Sequence, residues 1–211
     1  KYKGNGTAGH TIPHHLGVVP QLVIVKCIES VHSWQVYHHK VGHTKYLELN
    51  TSNAEDTETN RWNDTAPTSS VFTLGNSNTV NQSSSNYNFI AYCFAEKTGY
   101  SKFGSYTGNG NADGTFIYTG FKPAFFMWKR YDHSTGWGMV DSKRNPINPG
   151  FLQSGPDDDN SEGDYTIGDF LSNGVKMRNT FADTNSVNDY LYVAFAEQPF
   201  VTSDGVPCTA R

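Results

Sequence analysis

The sequence predicts an all-β protein: a β-sandwich of the jelly-roll kind, made of two duplicated units of about one hundred residues packed together. Three observations predict it. First, Ser105 to Lys129, SYTGNGNADGTFIYTGFKPAFFMWK, is echoed at the start of the chain by KYKGNGTAG and then GVVPQLVIVK. Tyr2, Gly4, Asn5 and Gly6 align with Tyr106, Gly108, Asn109 and Gly110. Gly17, Pro20, Lys26 and Trp34 align with Gly120, Pro123, Lys129 and Trp137, and Phe94-Ala95-Glu96 aligns with Phe195-Ala196-Glu197. A repeat defines the structural unit, here residues 1–104 and 105–211. Second, each unit holds about seven short strand-like runs with turn signals every eight to twelve residues, which suits a sandwich and not a βαβ fold. Third, charged residues are 17% of the chain and aromatics 14%, with abundant Gly, Asn, Ser and Thr for polar turns.

The elements follow in order. Asn5-Gly6 fits a tight turn because both residues tolerate positive φ. Gln21 to Cys27, QLVIVKC, is a β-branched run after Pro20, too short for a helix, and reads as a central strand. Ser33 to His39 and Lys45 to Asn50 alternate, which predicts one buried and one wet face. Thr51 to Ser70 is a long polar loop whose one large apolar residue is Trp62. Val71 to Leu74 and Tyr87 to Glu96 complete the first unit. In the second unit GTFIYTG, PAFFMWKR, GWGMVD, DYTIGDFLS, VKMRN and NDYLYVAFAE come in the same order. Asn173-Gly174 reads as a two-residue hairpin turn, and Asn145 to Ser161 as the counterpart of the long loop. Trp34, Trp128 and Trp137 sit in strand patterns and are expected in the core. No linker of Pro or Ser separates the units.

The totals also bound function. A formal charge of -4 leaves no basic stripe for a phosphate backbone, so nucleic acid is not an expected partner. No run of eighteen apolar residues is present, so membrane insertion is not expected. The chain opens on Lys1 and not on Met, which reads as a fragment or a processed product. Cys27 and Cys93 read as buried thiols, a disulfide between them being the alternative, while Cys208 lies in a polar tail. GxSxG, HExxH and a phosphate-binding glycine loop are all missing, and no carboxylate pair can be located from the sequence, so an enzyme is not expected.

YTGNG, GFKP before a strand ending in Lys, Trp137 with DSKRNP, DFLSNGVKMRN and YLYVAFAEQPF together resemble the closing region of tail-fibre and tail-associated structural proteins of tailed, especially marine, bacteriophages. The ending GVPCTAR resembles the short Ala-Arg tail of those proteins. The resemblance implies an extracellular virion location in the tail, with a host cell-surface receptor or glycan and other virion proteins as partners. It implies no catalytic residues.

Three constellations could carry chemistry. Asp158, Asn160, Glu162 and Asp169 stand at positions one, three, five and twelve of a calcium-loop spacing, with Gly163 at the turn. Glu162 is longer than the usual ligand there, Asp169 replaces the bidentate Glu, and a solvated acidic turn is the competing reading. Seven of the eight histidines fall in the first 43 residues. His38 and His39 are expected on opposite faces of a strand, so only a homotrimer axis gathering one histidine per chain would make a metal site of them. Trp62 and Tyr165 are the aromatics expected to stack on a sugar, with Asn60, Asn63 and Asp64 binding its hydroxyls, against the alternative that Trp62 caps the core.

Overall fold

The computed structural model describes residues 1–83, 87–159 and 161–198. The chain divides into two compact units, Lys1–Ala95 and Glu96–Arg211, with the boundary earlier than residue 104 because Ser101 already opens a strand of the second unit.

Unit 1 runs β1 (Tyr2–Lys3), β2 (His10–Pro13), β3 (Leu22–Cys27), β4 (Gln35–His38), β5 (Lys45–Glu48), β6 (Asp56–Thr57), the helical turn α1 (Thr59–Trp62), β7 (Val71–Leu74), the turn α2 (Asn78–Asn81) and β8 (Asn88–Phe94). A six-stranded sheet has the order β1-β8-β3-β4-β5-β6, and β2 pairs with β7 in a ribbon. Val23, Val25 and Phe89 of the sheet share a core with Ile12, Phe72 and Leu74 of the ribbon. Each such side chain taken from water contributes about 1.5–3 kcal/mol. β4 departs from the expected alternation, since all four of its residues are buried. Its polar Gln35 is satisfied in place: Arg61 Nε donates to its Oε1 (2.9 Å), and its Nε2 donates to Glu48 Oε1 (3.2 Å).

Unit 2 runs β9 (Ser101–Thr107), β10 (Phe116–Tyr118), β11 (Pro123–Arg130), β12 (Trp137–Asp141), β13 (Gly150–Gln153), β14 (Gly163–Leu171), β15 (Gly174–Met177) and β16 (Asp189–Ala196). One sheet has the order β12-β11-β16-β9 and the other β10-β15-β14-β13, all pairs antiparallel. Between them lie Phe126, Trp128, Tyr190 and Tyr192 from the first sheet against Ile117, Ile167, Phe170, Val175 and Met177 from the second. The architecture is an all-β sandwich. A bridge between Met139 and Ser154 ties β12 to the segment just after β13, so the two layers meet at one margin.

The units close on themselves by the same contacts. Tyr2 Oη donates to Val80 O and Tyr106 Oη to Thr184 O, both at 2.7 Å. The fully buried Asn81 accepts from Asn5 N (2.8 Å) and donates to Thr7 O (3.0 Å) and Gly75 O (2.7 Å). Asn185, equally buried, accepts from Asn109 N (3.3 Å) and donates to Asn111 O (2.8 Å) and Asn179 O (2.6 Å). A side-chain amide can serve several backbone groups that no strand reaches, and unpaired they would each cost about 1–3 kcal/mol. Glycine is needed beside this lock. A Cβ on Gly4 would lie 2.3 Å from Gln82 O, and one on Gly108 2.1 Å from Ser186 O. The β3 and β11 lysines also match: Lys26 Nζ donates to Ser30 O and His32 O, and Lys129 Nζ to Arg130 O, His133 O and Thr135 O. In both, an ammonium staples the turn after the strand, half-buried at Lys26 and fully buried at Lys129.

Details of the sequence reading change. β14 and β15 form the expected hairpin, but Leu171 pairs with Gly174, so the turn is Ser172-Asn173 and Gly174 is the first strand residue, without positive φ. Glycine is required there for space, because a Cβ would lie 2.2 Å from Ile117 O. The span 51–70 is not a plain loop, holding β6 and α1, and 145–161 contains β13. Cys27 and Cys93 are free thiols, since Cys27 pairs with Phe89 and Cys93 with Val23 across the β3/β8 ladder. Cys208 lies outside the described residues.

Candidate functional site

A cleft of about 510 Å³ opens in unit 2. Trp137 at the start of β12 forms part of its lining, with Gln153 at the end of β13, Asp157 and Asp158 from the turn after it, Tyr165 on β14, and Phe181 and Asp183 from the loop after β15. Local bonds fix each position. Asp157 Oδ1 accepts the Trp137 amide (3.0 Å), which holds the acidic turn against the head of β12. The 179–186 loop is held from beneath: Trp128 Nε1 donates to Asp183 O (2.9 Å), and Asn179 Oδ1 accepts Phe181 N (3.1 Å) and the Thr184 hydroxyl. Asn185 N donates to Phe181 O (2.9 Å), so the amide lock that closes the unit also sets this loop.

Tyr165 is 53% exposed and Phe181 44%, and their rings meet edge to face, 6.1 Å between centroids at 82°. Two roughly perpendicular aromatic rings therefore meet at the cleft, the edge of one against the face of the other. Burial pushes the carboxyls of Asp157 and Asp183 above the usual carboxylate range; at Asp157 the Trp137 amide and the Lys129 ammonium oppose it. Burial also lowers Lys129 to about 8, with Asp157 opposing. Its three carbonyl acceptors match the three N–H donors of the ammonium. Side chains of perturbed acidity gathered in a cleft mark a functional site in the general case.

The expected sugar-binding set does not assemble as one site. Tyr165 is at the cleft. Trp62 is 2% exposed, packed edge to face on Tyr37 at 6.1 Å in the unit 1 core, and so is not a glycan platform. The cause is local: α1 is a single turn whose last residue points inward, and Asn63 and Asp64 (φ 53° and 45°) turn the chain away after it. Asn60 is spent structurally, its Oδ1 accepting Arg61 Nη1 (2.6 Å) and its backbone O accepting Ser77 N (3.0 Å). Asn63 and Asp64 form the turn itself, with Asp64 exposed.

The calcium spacing is not gathered either. Glu162 pairs with Arg144, Asp169 pairs with Arg178 at 2.6 Å, and Asp158 lines the cleft. Asn160 lies outside the described residues. Among the described residues no group of three or more His, Cys, Asp or Glu could hold a metal ion. The two arginines, which flank the motif outside its spacing, take its carboxylates. The His38 and His39 rings are not on opposite faces, their centroids lying 5.2 Å apart, because β4 ends at His38 and His39 begins the turn. His38 is 1% exposed and accepts from Lys40 N (3.2 Å).

Sequence reasoning missed Phe181 and Asp183, which lie in a polar span far from Tyr165 in sequence and meet it only through the β14–β15 hairpin. The fold and the cleft define the class: an all-β sandwich protein with an aromatic- and carboxylate-lined cleft in its second unit. Residues 1–199 match the model of a family described as a domain of unknown function, DUF7483, and the chain belongs to that family. No curated protein and no solved structure matches the chain.

Proposed function

We propose that the chain is a non-enzymatic domain of a tailed-phage virion, in the tail fibre, and that it attaches to glycans of the host surface through the unit 2 cleft. The virion location rests on the motif resemblance, carried by YTGNG, GFKP, DFLSNGVKMRN and YLYVAFAE. One observation carries the binding role: solvent-facing Tyr165 and Phe181 stand beside Asp157, Asp158 and Asp183 in one cleft. A pyranose offers an apolar face to a ring and hydroxyl donors to carboxylates, and this pairing supplies both. Binding suits the cleft better than hydrolysis, since Asp157 Oδ1 is committed to the Trp137 amide. A glycan-array screen of the purified chain tests this. The parent is expected to give hits that Tyr165→Ala and Phe181→Ala lose, and hits unaffected by both variants would move the site elsewhere.

A second reading, a structural virion repeat that binds only protein, is favoured by β10. That edge strand exposes Phe116 (43%) and Tyr118 (61%) on one face. Exposed aromatics on an open edge suit docking of another chain. A blank array together with loss of virion assembly in a Tyr118→Lys variant would select it.

A further inference from the structure

We infer that the unit 2 cleft selects a sugar bearing a protonated amine, an amino-hexose with a free ammonium, over its acetylated or neutral counterparts. This inference rests on the glycan-binding reading above and narrows its ligand class.

The argument is one of charge and shape. Three of the side chains lining the cleft are aspartates, and among the described residues none that lines it is basic. Lys129, whose charge acts on Asp157, is 0% exposed and directs its ammonium at the carbonyls of Arg130, His133 and Thr135, so it acts as a staple behind the site and does not reach a ligand. The arginine of the neighbouring turn, Arg144, is engaged with Asp141, Ser154 and Glu162. The neighbouring Asp158 carboxylate repels that of Asp157 and adds to the burial that raises it, while the Lys129 ammonium opposes both from behind. A cationic guest relieves that repulsion, whereas a neutral sugar leaves it and an anionic one worsens it. The walls favour the same guest: Tyr165 and Phe181 are both solvent-facing, so an ammonium laid over the free face of either ring meets its negative quadrupole, and the pyranose carrying it supplies C–H surface to stack.

The test is calorimetric titration of the full chain, at mildly acidic pH and physiological salt, with three tetrasaccharides: β-1,4-linked glucosamine, its N-acetylated form and the neutral β-1,4-glucan. The glucosamine oligomer is expected to bind at least about tenfold more tightly than the other two, a difference that one desolvated charge contact supplies. Asp183→Asn and Asp158→Asn are expected each to lower its affinity by about tenfold with unchanged melting behaviour or a slight gain, while Asp64→Asn, an exposed acid of unit 1, leaves it unchanged. Equal binding of the three oligomers, no binding of any, or an Asp64→Asn loss matching that of Asp183→Asn overturns the ammonium preference. If the neutral or acetylated oligomer binds best and Tyr165→Ala abolishes it, the preference fails while the glycan site stands. If Tyr165→Ala changes nothing, both fail.

Discussion

The two units lock themselves closed alike and differ in what they do with the span after β5 in unit 1 and after β12 in unit 2. Unit 1 spends it on β6 and α1, which drive Trp62 into the core and leave Arg61 stacked over the Tyr46 ring at 4.4 Å. Unit 2 spends it on β13 and the long β14, which present Tyr165 to solvent beside three aspartates. A frame closed by buried amides tolerates such different excursions, because its backbone groups are satisfied independently of them. Under the proposed reading, binding chemistry is a property of the excursion and of the 179–186 loop it meets, and not of the sandwich.

The largest effects should come from breaking the shared frame. Asn185→Leu strands the amides and carbonyls it serves from the 109–115 and 179 segments, and is expected to destabilise by about 4 kcal/mol. Asn81→Leu is expected to cost a similar amount in unit 1, and guanidinium unfolding curves of both variants would show whether the two locks are equivalent. Gly108→Ala forces a methyl to 2.1 Å from a backbone oxygen, so a loss of about 2 kcal/mol should appear as a lower urea midpoint. Gly174→Val, beside Ile117 O, is expected to cost roughly 1 kcal/mol or more by thermal melting, for want of space and not from a strained φ.

The smallest effect belongs to the cleft and has the opposite sign. Asp183 has a folded-state carboxyl pKa raised by burial, so the native state holds its proton more tightly than the unfolded chain does. Its contribution to stability is full below the unfolded value of about 4 and is lost as pH rises through the folded value. Asp183→Asn should therefore match the parent at about pH 3 and gain stability at neutral pH. Melting temperatures of the pair across that range would check the sign.

Much of this frame is legible in the residues. PAFFMWKR is β11 from end to end, Val71 to Leu74 is β7 without adjustment, and the aligned Tyr2 and Tyr106 make the same bond. Runs like these carry their own periodicity and breakers, so local rules suffice. The partners of those tyrosines escape notice, since Asn81 and Asn185 sit in polar stretches where an asparagine reads as a turn residue and its burial is decided by chain segments some seventy-five residues away. Trp62 is left between the two readings, sugar platform or core cap, for a related reason: one aromatic in a polar span has no periodic neighbours to show which way it faces. The acidic run at 157–159 is visible, but whether it binds a metal or lines a cleft depends on Arg144, Arg178 and Phe181, which the fold and not the spacing delivers.

The contrast between the units is tested most directly by measuring glycan binding and melting temperature on Trp62→Ala and Tyr165→Ala side by side. Tyr165→Ala is predicted to lose binding with a melting shift near zero. Trp62→Ala is predicted to lose about 3–5 kcal/mol of stability and to keep its binding at temperatures where it stays folded. The reverse pattern, with binding lost in Trp62→Ala and kept in Tyr165→Ala, would contradict the assignment of the site to the unit 2 cleft.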